Sequence, residues 1–203
     1  LAVFRNTYFD PFYGLRGTNT NNLIRGLMYP VDLFKNNTEL INISDMFSDT
    51  TIPIGVDINS DLFINNTKLR NISRVWSNCS FDKRAWDYET EPINPIYYPQ
   101  IDFINIFKAN IRITNASNLF AVTDIISGNK GLQMITEDLL RNALNINDVS
   151  GMFYYNILLT GAVPLFPSSI YTALNGVSGY LTGVNKGNIT NANELENRLK
   201  PLG

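Results

Sequence analysis

The residues best suited to hold or act on a ligand fall between Asp82 and Gln100. There Trp86, Asp87, Tyr88, Glu89, Glu91, Tyr97 and Tyr98 share one stretch broken by Pro92, Pro95 and Pro99. Tyr and Trp combine large contact area with a low side-chain entropy cost, which is why they anchor protein and sugar contacts. Asp87, Glu89 and Glu91 alternate, and a glycoside hydrolase needs two carboxylates flanking its bond. Nothing beside these three raises one carboxyl pKa above another, so a solvated acidic loop is the simpler reading. They also lack the D-x-D-x-D-G order of a calcium loop. The aromatic residues keep two readings, a ligand surface or a plug folded back on the flank of the rest of the chain.

Other chemistry is thin. The chain has no histidine, which removes the usual general base, the serine triad and the common zinc sites. Cys79 stands alone, so no disulfide framework or cysteine zinc cluster can form, and a small buried hydrophobe is expected there. We therefore expect no enzyme activity, no catalytic residue, no metal and no cofactor. Formal net charge is −2 and only 17% of residues are charged, which gives no basic stripe for nucleic acid. No apolar run reaches the roughly 18 residues of a membrane span, and no charged-then-apolar leader starts the chain. Leu1 in place of Met leads us to expect a processed or excised part of a longer protein.

The elements that must position these residues are set by a recurring phrase. Leu33-Phe34, Leu40, Asn42-Ile43-Ser44 and Met46-Phe47 return as Leu62-Phe63, Leu69, Asn71-Ile72-Ser73 and Val75-Trp76. They return again as Ile106-Phe107, Ile113, Asn115-Ala116-Ser117 and Leu119-Phe120, and more loosely as Leu139-Leu140, Ile146, Asp148-Val149-Ser150 and Met152-Phe153. A fixed internal pattern at a period of roughly 30 residues marks a stacked-repeat architecture. A fifth copy keeps the spacing at Ile170-Tyr171, Val177, Tyr180-Leu181 and Val184, but Gly176, Gly179, Gly183 and Gly187 replace helix formers.

In the first copy, Leu40, Ile43, Met46 and Phe47 fall at i, i+3, i+6 and i+7, the face of a helix. Asn36-Asn37-Thr38 precedes it as a cap, and Ile52–Ile58 reads as a short extended return. The expected fold is α/β, a short leucine-rich-repeat-like solenoid of about five helix-plus-short-strand units. Residues 1–31 would be an N-terminal cap or arm, 32–187 the solenoid with insert 82–100, and 188–203 a C-terminal cap or the start of a further repeat. Asn36, Asn42, Asn65, Asn71, Asn78, Asn115 and Asn188 each head an Asn-x-Ser/Thr triplet. Most sit at repeat-equivalent positions, so structural consensus explains them more simply than glycosylation.

Met46-Phe47-Ser48, Trp76-Ser77-Asn78-Cys79 and Met152-Phe153, each following an Asn/Asp-x-Ser phrase, resemble the "MF-S-x-C" signature of the BspA-like leucine-rich repeats. The likeness covers roughly residues 32–160 and extends weakly to 187. It departs in the long insert, in cysteine surviving once, and in the Gly-rich fifth copy. The family occurs in surface proteins of gut and oral Bacteroidota, in those of some parasitic protists, and in structural proteins of phages of gut bacteria. The resemblance implies a non-enzymatic protein- or glycan-binding module of a larger cell-surface or phage virion protein, serving host attachment or adhesion. The alternative is a purely structural assembly or decoration module of a phage particle, held to other subunits through residues 1–31; a glycan-processing enzyme is more remote. Either way the setting is extracellular, on a cell surface or virion, with no nucleic-acid partner and no membrane insertion. Mass spectrometry of the native protein is expected to find no glycan mass on Asn42, Asn71 or Asn115; occupancy there would overturn the structural reading of the triplets.

Overall fold

The computed structural model describes residues 33–53, 60–82, 106–123, 134–135, 138–157, 159–166 and 168–199. Its organisation starts from the asparagine of each phrase. Asn42 Oδ1 accepts from Ser44 N at 2.8 Å, and the bond recurs from Ser73 to Asn71, Ser117 to Asn115 and Ser150 to Asp148. Such a local bond draws the backbone away from a helical ladder and into a turn. Met46 N then donates to Ile43 O at 3.1 Å, with Asp45 between them at φ 59°. A left-handed third residue is what a type II turn requires. Arg74, Asn118, Gly151 and Gly179 occupy the equivalent place at φ 57°, 53°, 60° and 70°.

These turns aim every second N–H at the next phrase. Ile43, Asp45, Phe47 and Asp49 donate to the carbonyls of Asn71, Ser73, Val75 and Ser77. The same four bonds join the second phrase to the third, the third to the fourth and the fourth to the fifth, all between 2.7 and 3.1 Å. Single parallel bridges run Asn42–Asn71–Asn115–Asp148–Gly176. The phrases thus lie side by side as rungs of a turn ladder.

This overturns the expected α/β, leucine-rich-repeat-like solenoid of about five helix-plus-short-strand units. Among the described residues the only α-helices are α1, Ser168–Tyr171, and α2, Ala192–Leu199, and neither coincides with Asn42–Phe47 or its copies. An α-helix needs right-handed φ throughout and i→i−4 bonds. Here the bonds run to i−3 and to a neighbouring phrase, and residues such as Asp45 and Asp49 are left-handed. The apolar spacing was read as a helix face; successive turns bury the same residues. Extended structure is slight: β1 (Thr51–Pro53) pairs in parallel with β2 (Ser80–Asp82), and β3 (Met134–Ile135) with β4 (Thr160–Gly161). The expected arm at 1–31 lies outside the described residues.

The core is the inward side of the rungs. Phe47, Trp76, Phe120 and Phe153 stack nearly parallel, with successive centroids 6.1, 5.5 and 5.8 Å apart. A second column runs Phe34–Phe63–Phe107 at 5.3 and 5.7 Å. Such pairs contribute about 0.5–1.5 kcal/mol each beyond area burial. Polar groups inside are tied across rungs: Asn66 Nδ2 donates to Phe34 O and Asn37 O, and Asn110 Nδ2 to Phe63 O and Asn66 O. Both amides are fully buried, so these bonds satisfy carbonyls that water cannot reach.

A Cβ on Gly151 would meet Asn118 Oδ1 at 2.3 Å, at a φ of +60°. Left-handed backbone costs an L-residue about 1–2 kcal/mol, and the collision adds to it. Gly151→Ala is expected to lower unfolding free energy by at least that amount in urea melts. Gly187→Ala, which meets only Asn185 Oδ1 at 3.4 Å, is expected to stay within about 0.5 kcal/mol of wild type.

Candidate functional site

All seven candidate contact residues, Trp86, Asp87, Tyr88, Glu89, Glu91, Tyr97 and Tyr98, lie outside the described residues. Their flanks are described. The described structure before them ends with β2 at Asp82, and after them it resumes at Ile106-Phe107. Across that interval the ladder is intact: Phe63 and Phe107 stack at 5.7 Å, and Trp76 N donates to Leu119 O at 2.9 Å. Beside β2, Asn78 is a polar tie. Its Nδ2 donates to Asp49 Oδ1 and Thr123 Oγ1, and its Oδ1 accepts from Thr123 N at 2.6 Å. That left-handed asparagine links three successive rungs just before β2.

Cys79 is buried, and its thiol donates to Phe47 O at 2.9 Å. The side chain is 1% exposed, and reactive thiols need access. Among the described residues no group of three or more His, Cys, Asp or Glu converges to hold a metal. No helix among them is long and apolar enough to cross a membrane.

The sequence did not point to a concavity at the other end of the ladder. A cavity of about 570 Å³ opens between the fifth phrase and α2, lined by Tyr180, Leu181, Val184, Leu195 and Leu199 among others. That volume is within the roughly 300–1,000 Å³ of ligand pockets. Lys186 and Glu196, both in the lining, form an ion pair. Glycines cluster at this edge of the ladder. Gly176, Gly179 and Gly183 stand where earlier rungs carry side chains; Cβ atoms on Gly176 and Gly183 would strike Asp148 Oδ1 at 2.2 Å and Tyr155 Cδ1 at 2.7 Å. The glycines were read only as a weakened repeat. Their clustering at one edge was the available signal.

The wall behind the cavity is apolar and closely bonded. Tyr180 Oη donates to Pro164 O at 3.3 Å, and Tyr171 Oη accepts from Phe166 N at 3.1 Å. Arg198 lies over the Tyr171 ring at 5.6 Å and pairs with Glu194. Burial pushes the Tyr180 hydroxyl well above the ordinary tyrosine pKa, with Tyr171 adding to the rise. Tyr171 is raised as well, chiefly by burial, against the lowering effects of the Phe166 N–H and Arg198.

No protein-family model, curated protein or solved structure matches the chain.

The buried tyrosine fixes a pH response. Its folded pKa exceeds the unfolded value of about 10, so the unfolded state loses its proton first. Its contribution to stability is full below about pH 10 and falls as pH rises from there toward the folded pKa. Denaturant melts between pH 8 and 11 are expected to show a steeper alkaline loss in wild type than in Tyr180→Phe. The variant should also be less stable at pH 8 by about 0.5–1.5 kcal/mol, the typical net value of one hydrogen bond. Equal alkaline slopes would contradict the assignment.

Proposed function

We propose that the chain is a non-enzymatic binding module of a larger cell-surface or virion protein, and that it contacts a protein or surface glycan through the stretch around Trp86, Tyr88, Tyr97 and Tyr98. One observation carries this reading. Phe63 and Phe107 stack across a sequence interval much longer than the one separating Phe34 from Phe63, yet the centroid distances are 5.7 and 5.3 Å. The additional residues are therefore not needed to keep the ladder in register. Insertions into a bonded scaffold are where binding residues concentrate, and this stretch is rich in the side chains that anchor interfaces. Asp87, Glu89 and Glu91 serve on this reading as a polar rim able to accept from hydroxyl or amide groups. Nucleic acid is a poor partner for a chain of net charge −2.

The wild-type chain and a Trp86→Ala/Tyr97→Ala double variant are to be compared on a glycan microarray and a cell-surface-protein microarray. Expected is a wild-type signal on at least one array that drops at least tenfold in the variant, with thermal unfolding of the two proteins coinciding. Alanine at a central aromatic anchor typically costs about 2 kcal/mol or more, which sets that scale. Equal binding by both proteins, or no binding on either array, would sink the reading.

A further inference from the structure

The ladder's bonding rule leaves its last rung open. In each of the first four phrases, the N–H groups of four alternate residues donate to the carbonyls of the following phrase. The matching groups of the fifth are Val177, Gly179, Leu181 and Gly183, the register successors of Val149, Gly151, Phe153 and Tyr155. No described residue accepts from these four N–H groups. Asn175 O is likewise the successor of Ile41 O, Arg70 O, Thr114 O and Asn147 O, each of which takes two N–H groups from the next phrase. No described residue donates to Asn175 O. Val177, Gly179, Leu181 and Gly183 all line the cavity of about 570 Å³ in front of α2.

We propose that this edge binds a segment of a partner polypeptide, which folds onto the ladder as one further rung of the same tandem turns. The hydrogen-bonding order identifies the occupant. It must offer two N–H groups to Asn175 O and then carbonyls on alternate residues to the four donors. A polypeptide backbone meets that sequence, as the chain's own phrases do four times over. A single anion would reach only one or two donors of a row spanning seven residues. Main-chain pairing supplies affinity in this mode of recognition, and side-chain pockets supply selectivity. The pocket here comprises Leu181, Val184, Leu195 and Leu199, which favours a segment with an apolar side chain turned toward α2. The Lys186–Glu196 pair sits in the same lining, within reach of a polar neighbour on that segment. Unpaired backbone groups at an edge are a ready template for such addition. The proposal does not rest on the residues around Trp86, and either reading can fail without the other.

The probe is a synthetic peptide with the sequence of residues 175–184, whose carbonyls at Gly176, Ser178, Tyr180 and Thr182 already accept from the fourth phrase. It is titrated into the ¹⁵N-labelled full chain, beside a peptide of reversed sequence. Expected are downfield shifts and at least tenfold slower hydrogen exchange at the amides of Val177, Gly179, Leu181 and Gly183, with smaller changes at Ser178, Tyr180 and Thr182. Val177→Pro deletes one donor that holds no bond in the free chain, and is expected to weaken the peptide at least fivefold. Should that variant not fold, the alternation of exchange protection in wild type decides alone. The proposal is overturned if the four amides ignore the peptide, or if the reversed peptide acts equally. It is also overturned if the amides are already protected in the peptide-free monomer, or become protected with protein concentration alone, which would make a second copy the occupant.

Discussion

Everything described in this chain depends on where alternate backbone N–H groups point. A turn with one left-handed residue sends those groups sideways, out of their own phrase and onto carbonyls of the next. Sixteen such bonds between 2.7 and 3.1 Å hold five phrases in register. The residue types follow from that geometry. Asn and Asp tolerate left-handed backbone, as at Asp45, Asp49, Asn78 and Asn118, and bond their own chain two residues on, as at Asn42, Asn71, Asn115 and Asp148. Gly takes the left-handed role in later rungs, at Gly151, Gly179 and Gly183, and Gly151 sits against Asn118 Oδ1. The same register brings like side chains together, so Phe47, Trp76, Phe120 and Phe153 form a column with no further instruction.

The register was legible in the sequence. The spacing that aligns Asn42, Asn71, Asn115 and Asp148 is the spacing of the parallel bridges, and Ile43, Met46, Phe47 and their counterparts are the buried residues. The local conformation was misread. Apolar residues three and four apart fit a helix face, yet tandem turns closing at i+3 bury the same positions, and the pattern does not separate the two. The contrary evidence is present in Asn-x-Ser at Asn42, Asn71 and Asn115, a poor helix interior and a good turn, which a repeat consensus alone does not distinguish. The aromatic residues of 86–98 were legible as candidates by type alone. Their surroundings depend on residues that no phrase constrains, so sequence spacing carries no geometry for them.

Buried polar groups show how strongly the ladder selects its residues. Asn66 and Asn110 are fully buried, and each amide nitrogen bridges two carbonyls of the preceding rung. Two donors on one rigid group are what that site uses; leucine of similar size would remove both bonds and leave each carbonyl only the N–H of its own turn, Asn37 and Leu40 in one rung, Asn66 and Leu69 in the next. The corresponding place in the fourth rung is Ala143, and there Asn142 Nδ2 reaches Lys108 O and Asn145 Nδ2 reaches Ile111 O from the surface. Those are different carbonyls from Phe107 O and Asn110 O, which accept from Asn110 N and Ile113 N within their own rung. Surface ion pairs repeat the register without governing it. Glu39–Lys68 and Asp45–Arg74 join equivalent positions of the first two rungs, but exposed pairs contribute little.

A ladder built this way has two unlike ends. The first rung turns the carbonyls of Asn42, Ser44 and Met46 outward, and the fifth turns out four N–H groups. Copies are therefore complementary head to tail, a contact that does not close and grows into fibres. The C-terminal segment opposes this. α2 stands across the cavity from Tyr180 and Leu181, with Leu195 and Leu199 in the same lining, on the side where a following copy would have to continue the ring column. Leu195 is fully buried there, so the apolar end of the stack is closed while the row of donors beside it is not. A helix that seals side chains but leaves main chain open discriminates by size. It excludes a whole second ladder, with its ring columns, and admits one further run of turns, which needs only the edge.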